Sequence, residues 1–112
     1  MATVIVVQPH TATYQQTIHG QIGETVTVGP EDSDFPGWVW CTDKAGTSSW
    51  VPKAYLAIEG DFGQLNREYN AKELTVTTGD RLKVVDEESS WYLCESEAGL
   101  RGWVPMENVK LI

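Results

Sequence analysis

Short alternating or β-branched runs, each closed by glycine, proline or an acidic cluster, set the hydrophobic pattern of this chain. Val4 to Val7 is a continuous β-branched run, the pattern of a buried strand. Residues 8–21 contain Pro9, Gly20 and several Thr and Gln with no helical period, which predicts a long loop or irregular hairpin. Glu24-Thr25-Val26-Thr27-Val28 alternates polar and apolar, predicting a half-buried strand that Gly29-Pro30 interrupts. Pro36-Gly37 then leads into a strand over Trp38–Thr42, a turn at Asp43-Lys44-Ala45-Gly46, and a returning strand at Ser49-Trp50-Val51. Pro52 ends that strand, because proline lacks the N–H that a ladder needs. Lys53-Ala54-Tyr55 fits one 3₁₀ turn, and Leu56-Ala57-Ile58 a closing strand.

The second half repeats the plan. Leu74–Thr77 leads into Gly79-Asp80, and Arg81–Val85 alternates. The acidic stretch 86–90 reads as a loop. Trp91–Glu95, the Ala98-Gly99 turn, Gly102–Val104, Pro105 and Val109–Ile112 follow in order. The Trp-led strands and the Trp-Val-Pro triplets lie 53 positions apart, as Trp38 to Trp91 and Trp50 to Trp103 show, whereas Gly23 to Gly79 and Val28 to Val84 lie 56 apart. The first copy therefore has the acidic loop longer by three residues. An internal repeat of this length means two copies of one supersecondary unit, and the expected division is 1–58 and 59–112. Residues 59–63 read as a short junction against which Phe62 packs.

Halves this small bury a modest core, which makes the five tryptophans the natural source of apolar volume. The formal charge of -8, from 16 acidic and 8 basic residues, disfavours nucleic acid and anionic membrane surfaces as partners. It suits a monomer or weak oligomer, or a basic partner. Cys41 and Cys94 occupy equivalent places and read as reduced core residues. No CxxC pair exists, and the spacing of His10 and His19 suggests no metal site. The apolar run before Pro9 is too short for a signal-peptide core or a membrane span. A cytoplasmic protein is expected.

The repeated unit resembles the Src-homology-3 (SH3) fold, particularly its bacterial forms. The first copy carries Ile22-Gly23-Glu24, Trp38-Val39-Trp40-Cys41 and Trp50-Val51-Pro52-Lys53-Ala54-Tyr55. The second carries Thr78-Gly79-Asp80, Trp91-Tyr92-Leu93-Cys94 and Gly102-Trp103-Val104-Pro105-Met106-Glu107-Asn108. The resemblance implies an all-β chain of two small five-stranded SH3-like barrels in tandem. It also implies an aromatic groove that receives extended, proline-rich peptide. In the first module the groove would be lined by His10, Tyr14, Trp38, Pro52 and Tyr55. In the second it would be lined by Tyr69, Trp91, Pro105 and Asn108. Asn108 replaces a usual tyrosine and Arg67 a usual aromatic, so the first module is the expected binder, with Glu31, Asp32 and Asp34 as candidate acidic contacts; Trp38 and Trp91 are both expected to be exposed.

Catalysis has little support. The two histidines lie in one loop without a positioned nucleophile, and there is no phosphate cradle, zinc signature or calcium loop. No cofactor is expected. The reading is a non-enzymatic adaptor for an unidentified protein or extended peptide. The alternative is a structural or assembly protein whose Trp-rich faces are buried in an interface, with cell-wall peptide recognition a more distant third.

Overall fold

A computed structural model describes residues 2–14 and 16–112, so the expected loop 8–21 is described except at position 15. Twelve strands and two 3₁₀ turns run through these residues, and none of them is α-helical. The strands are β1 (Thr3–Val6), β2 (His19–Gly20), β3 (Thr25–Glu31), β4 (Trp38–Thr42), β5 (Ser48–Pro52), β6 (Leu56–Glu59), β7 (Phe62–Leu65) and β8 (Tyr69–Asn70). They continue with β9 (Arg81–Glu88), β10 (Trp91–Ser96), β11 (Arg101–Pro105) and β12 (Val109–Leu111). The 3₁₀ turns fall at Lys53–Tyr55 and Met106–Asn108, each directly after the proline that ends a strand.

The chain forms two compact units, and they are not the sequential halves. One is continuous, Gln16–Ala71; the other is split, joining Met1–Gln15 to Lys72–Ile112. The division expected at 58/59 therefore does not coincide with the boundaries of the packed units. In the continuous unit a five-stranded sheet runs β5-β4-β3-β7-β6, beside the two-stranded pair β2-β8. In the split unit the order is β11-β10-β9-β1-β12. Matching the two orders puts β7 in the place of β1. Each repeat has given its first strand to the other.

The registers make this exchange explicit. Val4 lies opposite Leu82 on β9 and Leu111 on β12. Gly63 lies opposite Val26 on β3 and Ile58 on β6. Because Val26 corresponds to Leu82 and Ile58 to Leu111 in the repeat, Gly63 is the structural counterpart of Val4. Residues 59–63 are thus not a junction. They form the β6–β7 hairpin, in which Glu59 faces Phe62, and Phe62 stands 59% exposed instead of packing inward.

Alternation decides what each exchanged strand buries. Val4 and Val6 enter a core with Leu74, Val76, Leu82, Cys94 and Val104, while Thr3 and Ile5 remain half-exposed. On β7 it is Gly63 and Leu65 that turn inward, and Phe62 and Gln64 that face solvent. Burying one valine or leucine side chain contributes about 1.5–3 kcal/mol, so each donated strand is a substantial part of a small core.

Two further expectations are met in position. The hairpin turns close where Gly46 N–H donates to Asp43 and Gly99 N–H to Ser96. Both cysteines are free and fully buried. Burial disfavours the thiolate and pushes Cys41 up to about 11 and Cys94 up to about 12. At pH 8 about a thousandth of Cys41 would be thiolate, against roughly a quarter for a free cysteine of pKa about 8.5. Both thiols are therefore expected to react with a disulfide reagent only as fast as the protein opens. Rates measured with and without urea check this, and equal rates would contradict it.

Candidate functional site

Antiparallel register builds a row of side chains across the split unit. Trp91 on β10 faces Glu88 on β9 and Pro105 on β11. Directly paired residues project from the same face, so Glu88, Trp91 and Pro105 stand side by side. The donated N-terminal segment adds the next wall. His10 bridges to Val76 through reciprocal backbone hydrogen bonds of 3.0 and 2.8 Å. Its ring meets Trp91 edge-on, with centroids 5.7 Å apart. The Glu73 carboxylate lies 2.7 Å from His10 Nε2 and fixes the ring.

Asn108 holds that segment down. Its side-chain amide donates to the carbonyls of Gln8 and Pro9, both at 3.1 Å. Its own carbonyl accepts from the N–H groups of Val7 and Gln8. The residue is buried and acts as a clamp on the groove wall; it is not an open contact surface. Trp91 is half-buried and Tyr14 is 40% exposed.

The acidic stretch 86–90 is not the loop expected. β9 continues through Glu88, held by pairing with Trp91, Tyr92 and Leu93, and only Ser89-Ser90 turn. Both serines have positive φ, 42° and 77°, the combination that a tight two-residue hairpin needs. A carboxylate is thereby carried on a strand next to the Trp91 ring.

The continuous unit is different. Its counterparts Trp38, Pro52, Tyr55 and Tyr69 are all buried, Trp38 to 5% and the two tyrosines to 3% and 2%. Tyr55 and Tyr69 meet edge-on at 5.4 Å, the Arg67 guanidinium covers the Tyr55 ring at 4.2 Å, and Tyr69 Oη donates to the Trp50 carbonyl at 2.7 Å. Of the two tryptophans expected to be exposed, Trp91 is partly open and Trp38 is closed. The exchange also regroups the expected sites. His10 and Tyr14 join the split unit with Trp91, Pro105 and Asn108, while Tyr69 joins the continuous unit with Trp38, Pro52 and Tyr55.

Nor is Glu31 an idle acid. Its carboxylate accepts from Lys53 Nζ at 2.8 Å and from the Gly37 N–H at 2.9 Å. The hydrogen bond from Lys53, then that from Gly37, holds its pKa below the usual glutamate value. A lowered folded-state pKa adds stability above the unfolded pKa and loses it as pH falls through the folded one; the exposed position keeps that effect small. Asp32 is likewise engaged, accepting from the Asp34 N–H.

Sequence reasoning missed Glu73 and Glu88. The registers that bring them to His10 and Trp91 depend on the exchange and on the extended β9, which strand periodicity does not report. Two recesses of about 440 and 320 Å³ lie elsewhere on the split unit, by Arg81, Leu82, Ser96 and Glu97, away from the aromatic row. Among the described residues no cluster of His, Cys, Asp or Glu is arranged to hold a metal, and no helix is long and apolar enough to cross a membrane.

Comparison with known proteins finds a family match over part of the chain. Residues 62–112 match the variant SH3 domain. A 36-residue stretch is 50% identical to epidermal growth factor receptor kinase substrate 8-like protein 3 of Mus musculus, and 44% identical to the Homo sapiens protein of that name. Each match covers 32% of this chain and 6% of the relative. No solved structure matches significantly. The matched segment starts at β7, so it and the packed unit differ by one exchanged strand and the loop that follows it.

Proposed function

We propose that the chain is a non-enzymatic adaptor that binds a protein or extended peptide in the aromatic groove of its split unit, and that each compact unit is one SH3-like barrel. SH3 domains are modules for protein and peptide recognition, which sets the ligand class. The observation that carries the reading is the half-open Trp91 between Glu88, Pro105 and the His10 ring. Its indole offers an apolar face to an extended backbone, and Glu88 offers a charge to a basic side chain of the ligand. An already extended, proline-rich segment loses little entropy on docking.

An NMR titration of the labelled protein with a panel of proline-rich and proline-free peptides tests this. Binding that weakens at least tenfold, about 1.4 kcal/mol, in Trp91→Ala and persists in Phe62→Ala is expected, since Phe62 lies on an exposed strand face of the other unit. Undiminished binding in Trp91→Ala would remove the groove from the account.

The burial of Trp38, Pro52, Tyr55 and Tyr69 supports a second reading for the continuous unit. There the same residue types serve as core, as in a structural or assembly protein. Sedimentation separates the two readings: the adaptor is a monomer across concentrations, whereas assembly through Trp-rich faces is concentration-dependent.

A further inference from the structure

The two exchanged strands share one alternation of burial, with the second and fourth residues inward, so alternation alone lets either strand fill either place. Side-chain volumes do not. At the first inward position β1 carries Val4 and β7 carries Gly63. A Cβ on Gly63 would lie 3.0 Å from Val28 Cγ2 and 3.3 Å from Leu56 Cδ2. The two γ-methyls of a valine there would have to displace both neighbours, a form of overpacking. The split unit has the shorter Val109 where the continuous unit has Leu56, and its core takes Val4 with no exposure at all.

The second inward position shows the same rule reversed. β1 carries Val6 and β7 carries Leu65. Leu65 reaches toward Gly20, where an added Cβ would lie 2.6 Å from Leu65 Cδ1. The register makes Val76 the counterpart of Gly20, because Gly20 faces Tyr69 as Val76 faces His10. The split unit therefore combines valine with valine where the continuous unit combines leucine with glycine. Returning each strand to its own repeat would press Val4 on Leu56 and Leu65 on Val76. It would also leave voids where Gly63 replaced Val4 and where Val6 met Gly20, and a void forfeits both transfer and packing energy.

We infer that residues 3–14 are a dedicated donor segment for the C-terminal SH3 repeat, selected by core volume over that repeat's own first strand, and that His10 enters the ligand groove as part of this donation. The role of His10 as a specificity-determining wall rests on the proposed function; the donation does not. The SH3 segment 62–112 is accordingly an acceptor whose groove is incomplete without a wall from the N-terminal end of the chain.

Disulfide trapping in the full chain tests the donation without any ligand. The hydrogen bonds Val84 N–H to Ala2 and Val6 N–H to Asp80 put Thr3 opposite Lys83 at a position without hydrogen bonds between the paired residues. The bond Val28 N–H to Asp61 does the same for Thr27 and Phe62. Such pairs have α-carbons about 4.5 Å apart, within disulfide range, and none of these four side chains is in a core. Mild oxidation of T3C/K83C and of T27C/F62C is expected to give nearly complete cross-linking within one chain, and F62C/K83C and T3C/T27C to give only background. Efficient F62C/K83C or T3C/T27C closure would overturn the inference, as would T3C/K83C product found only as covalent dimer. Loss of peptide binding with the expected cross-links intact would instead count against the groove alone.

Discussion

Replacing Trp103 with alanine is expected to destabilise the protein by about 3–5 kcal/mol, the range for truncating a fully buried large aromatic. Trp103 is 2% exposed and is the largest fully buried side chain among the described residues. It also sits at the seam of its sheet. Its N–H donates to the Lys72 carbonyl, and its carbonyl accepts from the Leu74 N–H, so it ties β11 to the segment entering the split unit. A loss of this size is a large share of the roughly 5–15 kcal/mol by which domains are stable. Trp50, the equivalent residue in the other unit, is only half-buried and packs edge-on against Trp40 at 5.0 Å. Trp50→Ala is expected to cost clearly less. Urea unfolding followed by circular dichroism measures both, and equal shifts of the midpoint at constant slope would contradict the difference.

Truncating Leu65 to alanine is expected to cost about 2–5 kcal/mol and, more tellingly, to do so in the unit that the family match does not indicate. Leu65 is 1% exposed and lies in the segment 62–112 that matches the variant SH3 domain. It nevertheless pairs with Leu56 and stands over Gly20, inside the continuous unit. Native-state hydrogen exchange resolves where stability is lost, because local opening is reported amide by amide. Protection is expected to fall first at Val26, Val28 and Leu65 itself, whose N–H groups hold β3 and β7 in place. The amides of β9 and β12 should change less. A loss centred on Leu82 and Val84 would mean that β7 belongs with the C-terminal repeat after all.

These expectations show how far the chain could be read before its fold was known. The hairpins, the two 3₁₀ turns and the core positions of Cys41 and Cys94 follow from glycine, proline and alternation, which act locally. The offsets of 56 and 53 between the copies reappear as structural equivalences: Val26 matches Leu82, and Ile58 matches Leu111. What alternation does not report is which of two similar strands enters which core. Thr3–Val6 and Phe62–Leu65 both turn their second and fourth residues inward, and the choice lies in the fit of Val4 and Gly63 to neighbours distant in sequence. The same limit explains Trp38 and Trp91. They are equivalent in the repeat, yet their exposure depends on packing that periodicity leaves open. Asp86 to Glu88 read as loop because acidic residues are poor strand formers. Pairing with the Trp-led strand overrides that preference and brings Glu88 to the groove.

The central claim, that the N-terminal segment completes the sheet and groove of the C-terminal repeat, is tested most directly by cross-strand nuclear Overhauser contacts between α-protons in the unmodified protein. The account expects contacts between Ile5 and Arg81 and between Phe62 and Thr27, the facing pairs without mutual hydrogen bonds. Contacts joining Gln64 to Arg81, or Phe62 to Lys83, in place of those would show each repeat closing on its own first strand and would contradict it.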